Sequence, residues 1–210
     1  MRTSRLVTSG GRVRLRVPER SDASAWRALR LRDEPILRPV EPTLEDDWDN
    51  AHRASVFRRN LRSWRRSEAA GDMIVSTIEV DGQFAGMLTL GGITPFPVAH
   101  AWIGYWVGSG FTCGGVATAA VALASDYAKR VGVHRIEATV LDSNVPSIRV
   151  LENCGFEYEG VAREAFHMAG AGRDHLTYAR VGEDSAVDLI VASGRAQYEE
   201  AEKYPPQRRA

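Results

Sequence analysis

The chain has 210 residues, of which 44% are hydrophobic and 26% charged, a composition typical of a folded globular protein of one domain. Its 27 basic residues balance its 27 acidic ones, so net charge gives no overall attraction to nucleic acid or to an anionic membrane. No stretch reaches the roughly 18 apolar residues of a membrane span, and the first residues lead into no apolar signal core. We therefore expect a cytoplasmic protein with no membrane partner and no direct nucleic-acid partner. Cys113 and Cys154 have no neighbours at metal-ligand spacing, which predicts free thiols and no metal.

The first third of the chain predicts one strand followed by helices. Basic and apolar residues alternate over 12–17, as in a strand with one wet face, and a helix is predicted over 22–31. Thr43 and Asp46 form a capping box, and apolar residues recur at helical intervals after it. Residues 43–68 are therefore predicted to form one or two amphipathic helices.

The middle of the chain predicts the centre of a sheet. Residues 73–80 and 83–90 have strand character, and the Asp81-Gly82 pair between them is a strong signal for a two-residue hairpin. An apolar and aromatic strand is predicted at 99–107. After a glycine-rich loop, apolar residues at helical spacing predict a helix over 116–132.

The last third predicts three more strands and one short helix. Alternation over 135–141 predicts a strand, and a helix with proline near its start and glycine after its end is predicted over 144–155. Two strands fit 163–168 and 174–181, and the tail 182–210 has a weak helical pattern with a frayed end. These elements predict an α/β (α+β) domain, in which helices flank a mixed, mostly antiparallel sheet.

A glycine-rich turn at 110–118 lies between a predicted strand and a predicted helix. Glycine allows close approach of the backbone to a ligand, and free N–H groups at a helix start attract an anion. The turn matches neither the Walker pattern nor G-x-G-x-x-G, which disfavours nucleoside triphosphates and NAD and leaves the diphosphate of coenzyme A. A plain structural corner is the alternative, and the loop alone does not decide between the two.

A second polar feature follows the strand at 135–141. Asn144 ends this strand, and Ser147 lies three residues later in the first turn of a helix. Asn144 can form hydrogen bonds with the amide groups of a ligand or can cap the helix. The glycine turn upstream and Gly155-Phe156 downstream favour the functional interpretation.

Together these segments resemble motifs A and B of the GNAT acetyltransferases. The matching residues are Gly114-Gly115-Val116-Ala117-Thr118, and Asn144-x-x-Ser147 followed by Leu151-Glu152-Asn153-Cys154-Gly155-Phe156. Glu159-Gly160-x-x-Arg163 and Gly172-Arg173-Asp174-His175 are similar to the RimJ/RimL branch, which acetylates the N-termini of ribosomal proteins. The resemblance spans residues 12–181. It implies the GNAT fold with about seven strands in one domain, 1–181, which the tail 182–210 extends.

The resemblance also implies acetyl-CoA as cosubstrate, no metal, and a set of site residues. Backbone N–H groups of the loop would bind the pyrophosphate, Trp106 and Val107 would contact the pantetheine arm, and Asn144 would bind the same arm. Ser147 would lie near the thioester sulfur, which makes Ser147 and Asn144 the predicted catalytic residues. The implied cofactor-binding residues are Trp106, Val107, Cys113, Gly114, Gly115, Val116, Ala117, Thr118, Asn144 and Ser147.

Two positions depart from the family pattern. Thr112 stands where the family usually has Gln or Arg, which weakens phosphate contact, and Leu151 stands where many GNAT enzymes have a tyrosine acid. The acid role would then pass to Ser147. No residue is marked as the base. The candidates are Glu164, His167, Asp174 and His175, with Glu79 and His100 less favoured.

The implied acceptor is a protein N-terminus. A small amine such as an aminoglycoside or a polyamine is the alternative within enzymes, and a non-catalytic CoA-binding module is the alternative outside them. Monomer and homodimer both remain open. The arginine pairs Arg58-Arg59 and Arg65-Arg66 are interpreted as a solvated helix face.

Overall fold

The computed structural model describes residues 1–199, which form one nine-stranded sheet with helices on both of its faces. The strands are β1 Leu6–Thr8, β2 Gly11–Arg16, β3 Met73–Val80, β4 Gln83–Thr94, β5 His100–Val107, β6 Arg135–Val140, β7 Glu157–Met168, β8 Ala171–Arg180 and β9 Gln197–Tyr198. The helices are α1 Asp22–Arg32, α2 Glu34–Leu37, α3 Trp48–Ala51, α4 Ala54–Ala70, α5 Val116–Arg130, α6 Val145–Asn153 and α7 Ala186–Ala192, with 3₁₀ turns at Arg38–Val40 and Ser109–Phe111. Within this part of the chain, no helix is long and apolar enough to cross a membrane.

The sheet contains one parallel pair at its centre. Its strand order is β7-β8-β6-β5-β4-β3-β2-β1-β9, and every neighbouring pair is antiparallel except β5 with β6. That pair begins at His100 opposite Arg135 and ends at Trp102 opposite Glu137. Beyond this point, β4 continues to pair with β5 as far as Val107, and β8 continues to pair with β6 as far as Val140. The two central strands therefore separate and leave a gap, which we call the β5/β6 gap.

Two hydrophobic cores lie on opposite faces of the sheet. Alternate strand residues, among them Leu15, Ile78 and Ile136, pack against α5, α6 and α7 on one face. On the other face, Val75 and its neighbours pack against α1 and α4. Side chains that alternate along one strand therefore point towards different sets of helices.

The predicted hairpin is confirmed. Asp81 and Gly82 connect β3 to β4 and both have positive φ, 47° and 82°, as a type I′ turn requires. The predicted mixed, mostly antiparallel sheet with flanking helices is also confirmed.

The count of about seven strands is too low, because the sheet has nine. The additional strands β1 and β9 have only three and two residues, too few for a periodic pattern to show. The strand predicted at 163–168 begins earlier, at Glu157, because irregularities in the β7/β8 pairing interrupt the alternation that marks a strand.

The helical region 43–68 is divided into α3 and α4, and the Thr43 capping box does not form. The Thr43 N–H instead donates to the His167 carbonyl at 2.8 Å. Asp47 caps α3 by accepting from the Asn50 N–H at 2.8 Å. In the tail, the helical pattern corresponds to α7, and the predicted frayed end at 200–210 lies outside the described residues.

Candidate active site

The β5/β6 gap exposes backbone groups of β5 that no neighbouring strand uses. The Trp106 carbonyl points towards β4, since a methyl group built on Gly86 would lie 2.1 Å from it. Backbone groups alternate in direction along a strand, so those of Tyr105 and Val107 face the gap. Of the two residues implied to contact a pantetheine arm, Val107 therefore offers its N–H to the gap, whereas Trp106 uses its backbone to pair with β4.

The glycine turn connects β5 to α5 with an alternating backbone conformation. Cys113 and Gly115 have positive φ, 62° and 76°, and Gly115 is the residue before the first turn of α5. Gly114 packs against the β1/β2 turn, where its carbonyl accepts from the Gly10 N–H at 2.9 Å. A methyl group at Gly114 would lie 2.4 Å from the Gly10 Cα. Gly114 is therefore required for packing as well as for any ligand.

The N–H groups of residues 113–118 donate no hydrogen bond to another part of the described chain. No side chain caps α5 either. Consecutive unpaired N–H donors at the start of a fifteen-residue helix, with the helix dipole behind them, suit an anion. This arrangement is compatible with the pyrophosphate that the resemblance implies.

Asn144 caps α6 and keeps part of its hydrogen-bonding capacity. Its side-chain oxygen accepts from the Ser147 N–H at 3.3 Å, so the capping interpretation is correct. The Asn144 amide nitrogen donates to nothing within residues 1–199, which leaves its two protons for a ligand carbonyl. Both interpretations of this residue are therefore compatible.

Tyr105 lies beside Ser147, a contact that sequence analysis did not predict. Its hydroxyl oxygen is 2.8 Å from the Ser147 Oγ and 3.3 Å from the Ser147 carbonyl oxygen. Either hydroxyl can donate in the shorter contact, whereas the Ser147 carbonyl only accepts. Burial raises the pKa of Tyr105, which keeps it a neutral donor. When Tyr105 donates to the Ser147 Oγ, the Ser147 proton is free for another acceptor.

The candidate bases on the β7/β8 hairpin have different surroundings. His175 is buried, contacts the edge of the Phe166 ring, and has Nδ1 at 2.9 Å from the Arg173 carbonyl. That carbonyl only accepts, so Nδ1 carries a proton, and in the neutral ring Nε2 is the nitrogen with the lone pair. Asp174 instead accepts from the Glu164 N–H at 2.8 Å, which is a structural contact.

His175 also lies at the correct end of the sheet. Val140 pairs with Leu176, so His175 is one residue beyond the end of β6, where the chain turns towards Asn144. Leu176 belongs to the α5 face, and by alternation His175 belongs to the α1/α4 face together with Trp106. Ser147 and His175 therefore approach the gap from opposite faces of the sheet.

Three other candidate bases, Glu79, His100 and His167, are engaged in structural contacts. Glu79 is held between Arg14 and Arg16, at 2.6 Å and 2.7 Å, and these guanidinium groups lower its pKa despite burial. His100 contacts Glu137 at 3.2 Å at the opposite end of β5. His167 contacts the Thr43 hydroxyl at 3.0 Å, next to the backbone bond described above.

An aromatic and arginine cluster borders the gap on the α1/α4 face. The Arg30 guanidinium lies 4.9 Å from the ring centroids of both Trp48 and Trp106, and it forms an ion pair with Glu41. The Trp48 indole N–H donates to the Arg30 carbonyl at 2.8 Å. The Trp106 side chain is thus fixed by α1 and α3, and the cluster forms a rigid wall at the end of β5.

Asp33 connects α1 to the turn that follows β5. Its carboxylate accepts from the Ser109 N–H and from the Ser109 hydroxyl, both at 2.7 Å. The hydrogen bond from Arg32, together with these, holds the pKa of Asp33 at about 2 although burial opposes ionisation. This contact fixes the path of the chain from β5 into the glycine turn.

Both cysteines are free, as predicted. Cys113 is exposed, whereas Cys154 is buried with its Sγ 3.3 Å from the Thr118 carbonyl, and burial raises the pKa of its thiol to about 12. No group of side chains in the described part of the chain is arranged to hold a metal ion.

Comparison with known proteins identifies the family. Residues 12–157 match the family model of the acetyltransferase (GNAT) domain. A structure of Mycobacterium smegmatis RimJ in complex with CoA-disulfide is 40% identical, with a TM-score of 0.92 over 94% of this chain and 97% of that one. The putative ribosomal N-acetyltransferase YdaF of Bacillus subtilis is 30% identical over 62% of this chain and 72% of its own length. The probable N-acetyltransferase YjcK of the same bacterium is 37% identical over 50% of this chain, and the chain spans only 58% of that relative.

These similarities confirm the predicted resemblance to the GNAT enzymes and their RimJ/RimL branch. The sheet with its β5/β6 gap, the uncapped start of α5 and the Asn144–Ser147 turn are the local features that accompany the match. The chain therefore belongs to the GNAT family of acetyltransferases.

Proposed function

We propose that this chain transfers an acetyl group from acetyl-CoA to the N-terminal α-amine of a ribosomal protein. The observation that carries the proposal is the similarity to M. smegmatis RimJ, which is 40% identical along 94% of this chain. The free donors at the start of α5 and the open edge of β5 support it, because they suit the diphosphate and the amide-containing arm of acetyl-CoA.

The predicted site residues other than Trp106 have roles in this proposal. The N–H groups of 113–118 bind the diphosphate, and the Asn144 amide donates to a carbonyl of the pantetheine arm. The Val107 N–H polarises the thioester carbonyl. The Ser147 hydroxyl donates a hydrogen bond to the sulfur as the carbon–sulfur bond breaks and CoA leaves as a thiolate, and Tyr105 holds Ser147 in the orientation for this step.

The acceptor amine attacks from the α1/α4 face. An α-amine has a pKa of about 7.7–8.0, so about a tenth is neutral at pH 7, whereas a lysine amine with a pKa near 10.4 is almost entirely protonated. A weak base is therefore sufficient. His175 is the candidate that the geometry favours, since its Nδ1 is occupied by the Arg173 carbonyl, Nε2 is the nitrogen left to accept a proton, and the residue lies on the face opposite Ser147. It accepts the proton that the amine loses.

The structure gives little support to a polyamine acceptor. A polyamine site requires a group of available carboxylates, and the acidic residues beside α3, Asp46, Asp47 and Asp49, have structural partners. Asp47 caps α3, and Asp49 forms an ion pair with Arg27 at 2.8 Å. Carboxylates engaged in this way are poorly available to bind a cationic substrate.

The proposal is tested by intact-mass analysis of amines incubated with the protein and acetyl-CoA. One peptide has a free N-terminal alanine or serine, and its control has the same sequence with a blocked α-amine and an internal lysine. Spermidine and an aminoglycoside form the small-amine arms. We expect acetylation of the free N-terminus alone, and modification of only the lysine or only the small amines would refute the proposal.

A further inference from the structure

The outer face of α4 carries an uncompensated block of positive charge. Five exposed residues form what we call the arginine face: Arg58, Arg59, Arg62, Arg65 and Arg66. At 100° per residue they occupy an arc of roughly 120°, which excludes the buried side chains Phe57 and Leu61. The only acidic residue of the helix, Glu68, lies outside this arc and contacts the Met1 amine at 3.3 Å.

No acidic side chain among residues 1–199 forms an ion pair with the arginine face. Other arginines of the chain, including Arg12, Arg14 and Arg135, do have such partners. The net charge of zero, on which the expectation of no nucleic-acid partner was based, therefore conceals a segregated surface.

We propose that the arginine face binds the phosphate backbone of duplex RNA. The inference rests on the proposed function, because a ribosomal acceptor places the enzyme next to structured RNA. Arg58 to Arg66 spans about 12 Å of helix, a length over which a nucleic-acid duplex presents about seven negative charges. Guanidinium groups of this spacing therefore reach several phosphates at once.

The composition of the face favours RNA over an acidic protein segment. Of the residues between the arginines, Asn60 and Ser63 are polar, and no large apolar side chain is exposed on the arc. Protein interfaces gain most of their affinity from buried apolar and aromatic anchors, whereas backbone binding of a duplex requires only cations. The partly buried Trp64 packs inward, which also disfavours stacking on single-stranded bases.

The position of the face fits this role. α4 packs over β3, which is two strands, or about 10 Å, from β5. It lies on the α1/α4 face of the sheet, where Trp106 and His175 border the gap. RNA bound there lies on the side of the sheet from which the acceptor amine is proposed to attack. The glycine turn proposed to bind CoA lies on the other side of the sheet and stays free.

The test compares two triple variants with the same loss of charge, one on the face and one elsewhere on the surface: Arg58→Gln/Arg62→Gln/Arg65→Gln and Arg2→Gln/Arg20→Gln/Arg130→Gln. Each is titrated into a fluorescent RNA duplex of about 20 base pairs between about 50 and 200 mM salt. We expect the face variant to bind at least about tenfold more weakly at low salt, with a salt slope lower by about two to three, and the control variant to bind within about twofold of wild type.

Equal losses in both variants, or no duplex binding by the wild type, would overturn the inference. Loss of binding to polyglutamate without loss of binding to RNA would assign the face to an acidic protein partner instead. Acetylation of a short N-terminal peptide is measured in parallel and stays unchanged in both variants. If that peptide is never acetylated, the proposed function fails independently of the RNA result.

Discussion

Replacement of Tyr105 by phenylalanine tests the proposed role of Ser147 directly, because it removes one oxygen and keeps the ring in its place against the core. The lost atom is the hydroxyl oxygen that lies 2.8 Å from the Ser147 Oγ. Without it, the Ser147 hydroxyl is free to rotate and to donate to its own surroundings instead of the sulfur. A correctly placed hydrogen bond that strengthens in the transition state is worth about 1.4–2.8 kcal/mol, so we expect kcat to fall about ten- to a hundredfold.

The assay measures kcat, the KM for acetyl-CoA and the melting temperature of four proteins. These are the wild type, Tyr105→Phe, Ser147→Ala and the double variant. Ser147→Ala is expected to lower kcat by about ten- to a thousandfold with little change in KM. Because Tyr105 acts through Ser147, its replacement in the Ser147→Ala background should change kcat by less than about twofold.

Tyr127→Phe is the matched control, since Tyr127 packs against the same core and its hydroxyl has no hydrogen-bond partner within residues 1–199. We expect this variant to retain the wild-type kcat. Burial raises the pKa of Tyr105, so the residue stays protonated over the pH range of the assay. Tyr105→Phe should therefore lower kcat by the same factor at every pH and leave the apparent pKa values of the pH–rate profile unchanged.

Three results would refute the argument. A full kcat with a lowered melting temperature would make Tyr105 structural, at a cost of about 1 kcal/mol for a buried hydrogen bond. A full kcat in Ser147→Ala would remove Ser147 from the mechanism. Equal effects of Tyr105→Phe with and without Ser147 would show that the two residues act separately.

Two further predictions concern the glycine turn and its support. Ala117→Glu should abolish the rise in melting temperature that CoA gives the wild type, because the carboxylate competes for the free N–H groups of α5. The uncharged control Ala117→Gln should retain this rise. An equal rise in both variants would place the diphosphate elsewhere. Because its pKa is lowered to about 2, ionised Asp33 stabilises the fold above pH 4, and this stabilisation is lost as pH falls from about 4 to 2. Over that range the free energy of unfolding of the wild type should fall by about 2 kcal/mol more than that of Asp33→Asn, as measured by acid unfolding. Parallel curves of unfolding free energy against pH would contradict the assignment.

The secondary structure was predictable where the chain is strongly patterned. The Asp81-Gly82 turn and the long helix α5 were both confirmed, because turn chemistry and periodicity are local signals. The strands β1 and β9 were not predicted, since they owe their place to pairing with each other and not to their own residues. The capping box at Thr43 was wrong because a tertiary bond to β7 competes for the same backbone N–H.

The candidate site was predictable only in the segments that carry a motif. Asn144 and Ser147 are three residues apart, so a single turn of helix brings them together. Tyr105 is 42 positions from Ser147, and only the separation of β5 and β6 places its hydroxyl there. Its sequence context, an apolar strand, gave no signal of a polar role. The arginines of α4 were visible in the sequence, but their lack of acidic partners was not.

The unused backbone groups around the β5/β6 gap explain why the fold can keep a ligand site open. Each of the two strands keeps one antiparallel partner, β4 for β5 and β8 for β6. Their separation therefore removes only the hydrogen bonds between β5 and β6. The Val107 N–H is left free because β6 does not pair with this part of β5, and the N–H groups at the start of α5 are left free because no side chain caps the helix. Unpaired donors cost free energy when they are shielded from water, and a ligand with a carbonyl-rich arm and an anionic end satisfies both sets. Acetyl-CoA has this distribution of acceptors, which is why the gap and the helix start are expected to act as one binding site.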